Sequence, residues 1–288
     1  MRFAIVTILL ALGPTVFAAE FRVHRDLPYV QPKEYRRILD VYTSTQSKNQ
    51  PVMVWIHGGG WQRGDKSDVA AKPWAFVDEG FVFVAINYRF FPTVTMKQIA
   101  GDVSKAIRWS HDNAKKYGGD PESIFVAGHS AGASLTALVC TDDRYLKAEG
   151  LSLSVIKGCV PVDGDAFDVP LQIQTVEKGR VGSYEAKFGD LESQKDLSPV
   201  THLAQGKYTP SFLFLHIADP EGAASGRRGG TYCCPGTDVQ SQRLAKALQA
   251  VGVSAKVYSA EGKNHTTLNA ELGLPGDKPT AVLFEFLS

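Results

Sequence analysis

The sequence predicts an α/β fold with a mostly parallel central sheet and helices on both faces, and three observations carry that expectation. Apolar runs of strand length stand at 52–56, 81–86, 124–127, 155–160 and 212–217, and the first two are continuous, as strands covered on both faces require. Helix-length periodic stretches separate several of them, the alternation of a parallel sheet with crossover helices. No internal repeat or linker divides the chain, and 288 residues with 44% hydrophobic content suffice for one large core.

Taken in order, Met1-Arg2 is a short positive start, residues 3–12 are apolar, and Val16-Phe17-Ala18 offers a small-residue cleavage site. That is the pattern of a secretory signal peptide over residues 1–18, and the run falls short of the roughly 20 residues that span a bilayer. The expectation is an exported protein, secreted or periplasmic, whose catalytic domain occupies residues 19–288. Residues 37–42 alternate like a half-buried strand, and 52–56 and 81–86 read as buried parallel strands. Residues 96–117 form the expected long helix, with Ile99, Val103, Ile107 and the aliphatic part of Lys115 on one side. Strands at 124–127, 155–160, 212–217 and 255–258 follow. Helices at 239–251, with Leu244, Ala247, Leu248 and Val251 on one face, and at 280–287 complete the set. Residues 163–209 and 221–236 read as long irregular stretches, the kind that supply lids and binding loops.

Charge and cysteine content narrow the function. Formal net charge is +1, from 31 basic and 30 acidic residues, and no basic stripe suggests a nucleic-acid partner. Cys140, Cys159, Cys233 and Cys234 show no metal-ligand spacing. Cys140 and Cys159 fall in apolar elements and read as small buried hydrophobes, whereas adjacent Cys233 and Cys234 lie in a glycine-rich stretch open to oxidation after export.

Chemistry concentrates at the ends of the strands. Gly128-His129-Ser130-Ala131-Gly132 stops the 124–127 run and opens a small-residue helix. A serine at such a turn has a strained backbone, flanking glycines give clearance, and the helix aims free N–H groups at whatever approaches. Ser130 is therefore the expected nucleophile. His57-Gly58-Gly59-Gly60-Trp61 follows the 52–56 strand in the same way. Acyl transfer builds negative charge on a carbonyl oxygen, and backbone N–H groups free of side chains can stabilise it. Gly58 and Gly59, with the N–H of Ala131, are the expected oxyanion hole. Trp61 is the expected substrate contact, and His57 a brace for the loop.

A serine needs a base, and the base needs an orienting acid. Among seven histidines, His265 follows the last strand in a loop, where the chain order nucleophile, acid, base places it. Asp219, closing the 212–217 strand, is the expected acid, with Asp238, Asp163, Asp165 and Asp168 as competitors.

With these residues in place, the chain resembles the α/β-hydrolase fold family, in its carboxylesterase branch. Within that branch it is similar to the bifunctional feruloyl and acetylxylan esterases, near hormone-sensitive-lipase-like esterases and kynurenine formamidases. Arg37-Ile-Leu-Asp-Val-Tyr42, the His57–Trp61 loop with Gly64-Asp65-Lys66, Ile86-Asn-Tyr-Arg89, residues 128–133, Phe188-Gly189 and Ser198-Pro199 carry the resemblance. It implies a serine esterase with Ser130 as nucleophile, His265 as base and Asp219 as acid, using no metal or organic cofactor. The implied substrate is a small-molecule or polysaccharide-linked ester. The same motifs fit an arylformamidase acting on an N-formyl amide, and more remotely a non-catalytic binding protein on the same fold. Residues 221–236 depart from the family's pattern beside the expected acid.

Overall fold

The computed structural model describes residues 20–218 and 236–288. The expected signal peptide lies outside them, as do Asp219, Cys233 and Cys234. Eight strands make one sheet: β1 (Phe21–Pro28), β2 (Ile38–Ser44), β3 (Gln50–Ile56), β4 (Val82–Ile86), β5 (Gly119–His129), β6 (Ile156–Val162), β7 (Ser211–Ile217) and β8 (Ala255–Ala260). Their spatial order is β1-β2-β4-β3-β5-β6-β7-β8. The β1–β2 and β2–β4 pairs are antiparallel, and every pair from β4 to β8 is parallel. The helices are α1 (Lys72–Asp78), α2 (Met96–Asn113), α3 (Ala131–Thr141), α4 (Asp143–Ala148), α5 (Val169–Thr175), α6 (Lys178–Phe188), α7 (Leu191–Asp196), α8 (Thr237–Ala250), α9 (His265–Glu271) and α10 (Lys278–Leu287).

The period of two along each strand divides the core between the sheet's faces. From β3, Val52, Val54 and Ile56 join one cluster with Ile99, Val103 and Ile107 of α2 and Leu244 and Leu248 of α8. Met53 and Trp55 join the other, with Phe76 of α1, Leu268 of α9 and Leu283 and Leu287 of α10. Among the described residues no helix is long and apolar enough to cross a membrane.

Several elements depart from the sequence reading, each for a physical reason. Strand β2 is buried nearly throughout because β1, which has too little apolar content to read as a strand, covers its outer edge. Asp40 is fully buried there, held by Lys66 at 2.7 Å and Arg25 at 3.2 Å. Helix α2 ends at Asn113 and tightens into a 3₁₀ turn, Ala114–Tyr117, which rotates Lys115 into solvent. Residues 163–209 are not irregular. They hold α5, α6 and α7, short helices whose few buried side chains give little periodic signal. Asp168 and Asp190 cap α5 and α7, accepting from Leu171 N and Ser193 N, so Asp168 has a structural post. Cys140 and Cys159 are buried and free, as expected.

Two of the motifs behind the family resemblance, Gly64-Asp65-Lys66 and Ile86-Asn87-Tyr88-Arg89, meet at the end of β4. Asn87 accepts from Lys66 N at 2.7 Å and donates to Asp65 at 2.9 Å. Arg36 donates to Gly64 O at 2.9 Å and reaches Asp65 at 3.4 Å. These bonds fasten the loop after β3 to β2 and β4.

Candidate active site

Strands β3, β5 and β6 end side by side, and the residues that follow them meet. After β5, Ser130 takes φ 57° and ψ −122°, a conformation costly for any residue with a Cβ, and α3 begins at once. Its N–H is held by Val162 O at 2.9 Å, so the turn is tied to the end of β6. The flanking glycines are there because side chains have no room. A Cβ on Gly128 would lie 2.5 Å from Gly132 O, and one on Gly132 would collide with the Ile56 and His57 carbonyls. A Cβ on Gly58 would stand 3.1 Å from the Ser130 Cβ, so the loop after β3 lies directly against the serine.

That packing yields a stability prediction. Gly132→Ala should destabilise the fold by about 2–4 kcal/mol, because backbone on both sides must move. Gly101→Ala, inside α2 with open space at the Cβ position, should stabilise by roughly 0.5–1 kcal/mol. Denaturant midpoints of the two variants check this, and equal midpoints would contradict the packing.

The loop is braced as the sequence suggested. His57 is buried and stacks on Tyr88, ring centroids 4.4 Å apart. Its Nδ1 donates to Gly58 O at 2.7 Å, and Tyr88 donates to His57 O at 2.9 Å. Burial pushes its pKa down to about 4, so the ring is neutral at ordinary pH and committed to structure. Gly59 and Trp61 both have positive φ, 116° and 62°. Ala131 opens α3, where its N–H has no intrahelical acceptor.

His265 is the first residue of α9, not part of a loop. Asn264 caps that helix, accepting from Thr266 N and Thr267 N, and Thr267 Oγ1 accepts from Asn264 N. His129 Nε2 donates to His265 O at 2.9 Å, so the residue before the serine also fixes the histidine. Burial and the neighbouring His265 charge lower the His129 pKa to about 3. The imidazole is therefore neutral, with its proton on Nε2.

The carboxylate that meets His265 is Asp163, directly after β6. Its Oδ2 accepts from His265 Nδ1 at 2.6 Å. Its Oδ1 accepts from Ile217 N at 3.2 Å and Thr237 Oγ1 at 2.8 Å. Burial acts to raise the Asp163 pKa, but the hydrogen bond and charge of His265 and the Thr237 hydroxyl outweigh it, and the carboxyl sits below the usual range. Asp163, weighed in the sequence as a competitor, is thus the described carboxylate that meets this ring nitrogen, and Asp219, the expected acid, lies outside the described residues. Of the other competitors, Asp165 is buried and accepts from the Tyr184 hydroxyl and Gln172 Nε2 at 3.3 Å. Asp238 sits in the first turn of α8.

Ser130, Ala131, Gly59, Trp61 and His265 line one cavity of about 710 Å³, while Gly58 stands behind it. Trp61 is only 4% exposed and packs edge-on against Phe188 of α6, so it is a wall and a structural anchor together.

Solved structures share this architecture. A truncated carbohydrate esterase from gut microbiota superposes with TM-score 0.72 at 20% identity, covering 92% of this chain and 95% of that one. Esterase B from Lactobacillus rhamnosis gives TM-score 0.72 at 17% identity, covering 93% and 87%. The BD-FAE family matches residues 39–157 of this chain, from β2 past the serine to the start of β6. Among curated proteins the chain is similar to the probable carboxylic ester hydrolase LipM of Mycobacterium tuberculosis, 31% identical over 68% of this chain. The chain is an α/β-hydrolase. The isoprenylcysteine alpha-carbonyl methylesterase ICME of Arabidopsis thaliana is 28% identical over 89% of this chain. This α/β-hydrolase spans 49% of LipM and 60% of ICME.

Proposed function

We propose that this α/β-hydrolase is an exported serine esterase, secreted or periplasmic, that cleaves carboxylic esters of short or aromatic acids, of the acetyl or feruloyl type. The observation that carries the reading is the Asp163–His265 pair at 2.6 Å, set in the same cavity as a serine at a strained strand-to-helix turn. Ser130 Oγ attacks the ester carbonyl while His265 Nε2 takes its proton, and Asp163 holds the imidazole in the tautomer that leaves Nε2 bare. The oxyanion draws on the N–H groups of Gly58 or Gly59 and Ala131. His265 then protonates the departing alkoxide, and the acyl-enzyme yields to a water deprotonated by the same nitrogen. The similarity to carboxylic ester hydrolases supports ester over amide cleavage. A cavity of about 710 Å³ has room for an aromatic acyl group or a sugar on the alcohol side.

The test is a comparison of kcat/KM on p-nitrophenyl acetate, methyl ferulate and N-formylkynurenine. Both esters should exceed the formamide by about tenfold or more, a difference of roughly 1.4 kcal/mol in transition-state stabilisation. Preference for N-formylkynurenine would make the protein a formamidase, and no turnover of any of the three would favour the binding-protein alternative.

A further inference from the structure

One wall of the cavity takes no part in the chemistry above. Helix α6 turns Arg180, Ser183, Tyr184 and Lys187 to the cavity, the i, i+3, i+4, i+7 spacing of a single helical face. Arg63, from the loop after β3, lines the same space. Tyr184 and Phe188 pack against Trp61 with ring centroids 6.4 and 5.4 Å away, which joins α6 to the loop that carries the glycines.

Three cations therefore share one concave site. Among the described residues, no carboxylate lies within ion-pair distance of Arg63, Arg180 or Lys187, whereas Arg36, Arg89, Arg144 and Arg243 all have one. The Lys187 ammonium donates to neutral oxygens, Ser183 Oγ at 2.7 Å and Ser183 O at 3.1 Å. Burial and then the charge of Arg180 lower its pKa, with Asp165 opposing more weakly. Asp165 is the acidic side chain of this lining, and it is buried under the Tyr184 hydroxyl and the Gln172 amide. Among the described residues, like charges are thus brought together in a cleft with only this buried acid beside them, an arrangement that focuses a positive potential on whatever enters.

We propose that Arg180, Lys187 and Arg63 form a subsite for an anionic group, a carboxylate, phosphate or sulfate, carried by the ester itself. The enzyme then prefers negatively charged esters over neutral ones of the same shape. This rests on the reading of Ser130 as an esterase nucleophile, and the experiment separates the two.

The probe pair is para-acetoxybenzoate and its neutral isostere para-acetoxybenzamide, with rates corrected for their alkaline hydrolysis. A second pair, the p-nitrophenyl esters of para-carboxybenzoate and para-carbamoylbenzoate, puts the charge on the acyl side. Turnover of either neutral ester establishes the esterase site by itself. The subsite requires an anionic-to-neutral ratio of kcat/KM of about ten or more in at least one pair. That ratio should fall about tenfold in Arg180→Gln/Lys187→Gln. It should also fall in the wild type as sodium chloride rises from about 20 to about 500 mM, since screening then shortens to a few ångströms. Because each ratio is taken within one protein, partial misfolding of a variant cancels. Ratios near one in both pairs, or a high ratio untouched by the double substitution, overturn the proposal while leaving the esterase reading intact.

Discussion

Ser130→Ala is expected to lower kcat on p-nitrophenyl acetate by on the order of 10⁶ without loss of fold, the scale on which serine hydrolases lose their nucleophile. The strained backbone makes the fold half of this expectation specific. Serine and alanine both carry a Cβ, so the cost of φ 57° and ψ −122° is the same in each, and the thermal midpoint should hardly move. Ser130→Gly removes that Cβ and should be more stable than the wild type by about 1 kcal/mol, though equally inactive. A fluorophosphonate should label the wild type alone. Activity of Ser130→Ala within about tenfold of wild type would remove Ser130 from the chemistry, by the transition-state arithmetic that equates each tenfold with about 1.4 kcal/mol.

The turn at Ser130 and the glycine loop after β3 were legible in the sequence because their signals are local. Each is an apolar run that stops at glycines, and Gly58, Gly59, Gly128 and Gly132 answer to close approaches the structure makes explicit, such as Gly132 against the Ile56 carbonyl. His265 was legible from chain order, although its place at the head of α9 depends on the Asn264 cap. The acid was harder, since two neighbouring strand ends are each followed by an aspartate, Asp163 after β6 and Asp219 near the end of β7. Which one a histidine reaches depends on a contact across 102 residues of sequence, invisible to any local pattern. One signal was present. Asp163 is followed by Gly164, where a Cβ would crowd Ala133 of α3, the same pairing of a functional residue with an obligatory glycine as at Ser130. The cationic face of α6 escaped notice because Gly179 and Gly182 weaken the helix pattern and only Tyr184 and Phe188 are buried.

Asp163→Asn should lower kcat by about 10⁴, and the reason lies in which atoms surround the carboxylate. Oδ1 accepts from Ile217 N, a donor that cannot turn round, so the amide oxygen of an asparagine must take that position. Its NH₂ then faces His265 Nδ1 and can bond only a bare nitrogen. The imidazole proton moves to Nε2, the atom that must accept from Ser130, and the base is in the wrong tautomer. Geometry survives while catalysis does not, so KM should change little beside kcat. Asp219→Asn and Asp238→Asn, by contrast, should stay within about tenfold of wild type, since neither removes the acceptor of the Nδ1 proton. The variant should also alter acid stability in a definite direction. A carboxyl held below its ordinary value of about 4 contributes stability that is complete above that pH and lost as pH falls through the folded value. Any stability advantage of the wild type over Asp163→Asn should accordingly shrink as pH drops below about 4. If Asp219→Asn is the crippling substitution and Asp163→Asn keeps its turnover, the acid belongs to the end of β7 after all.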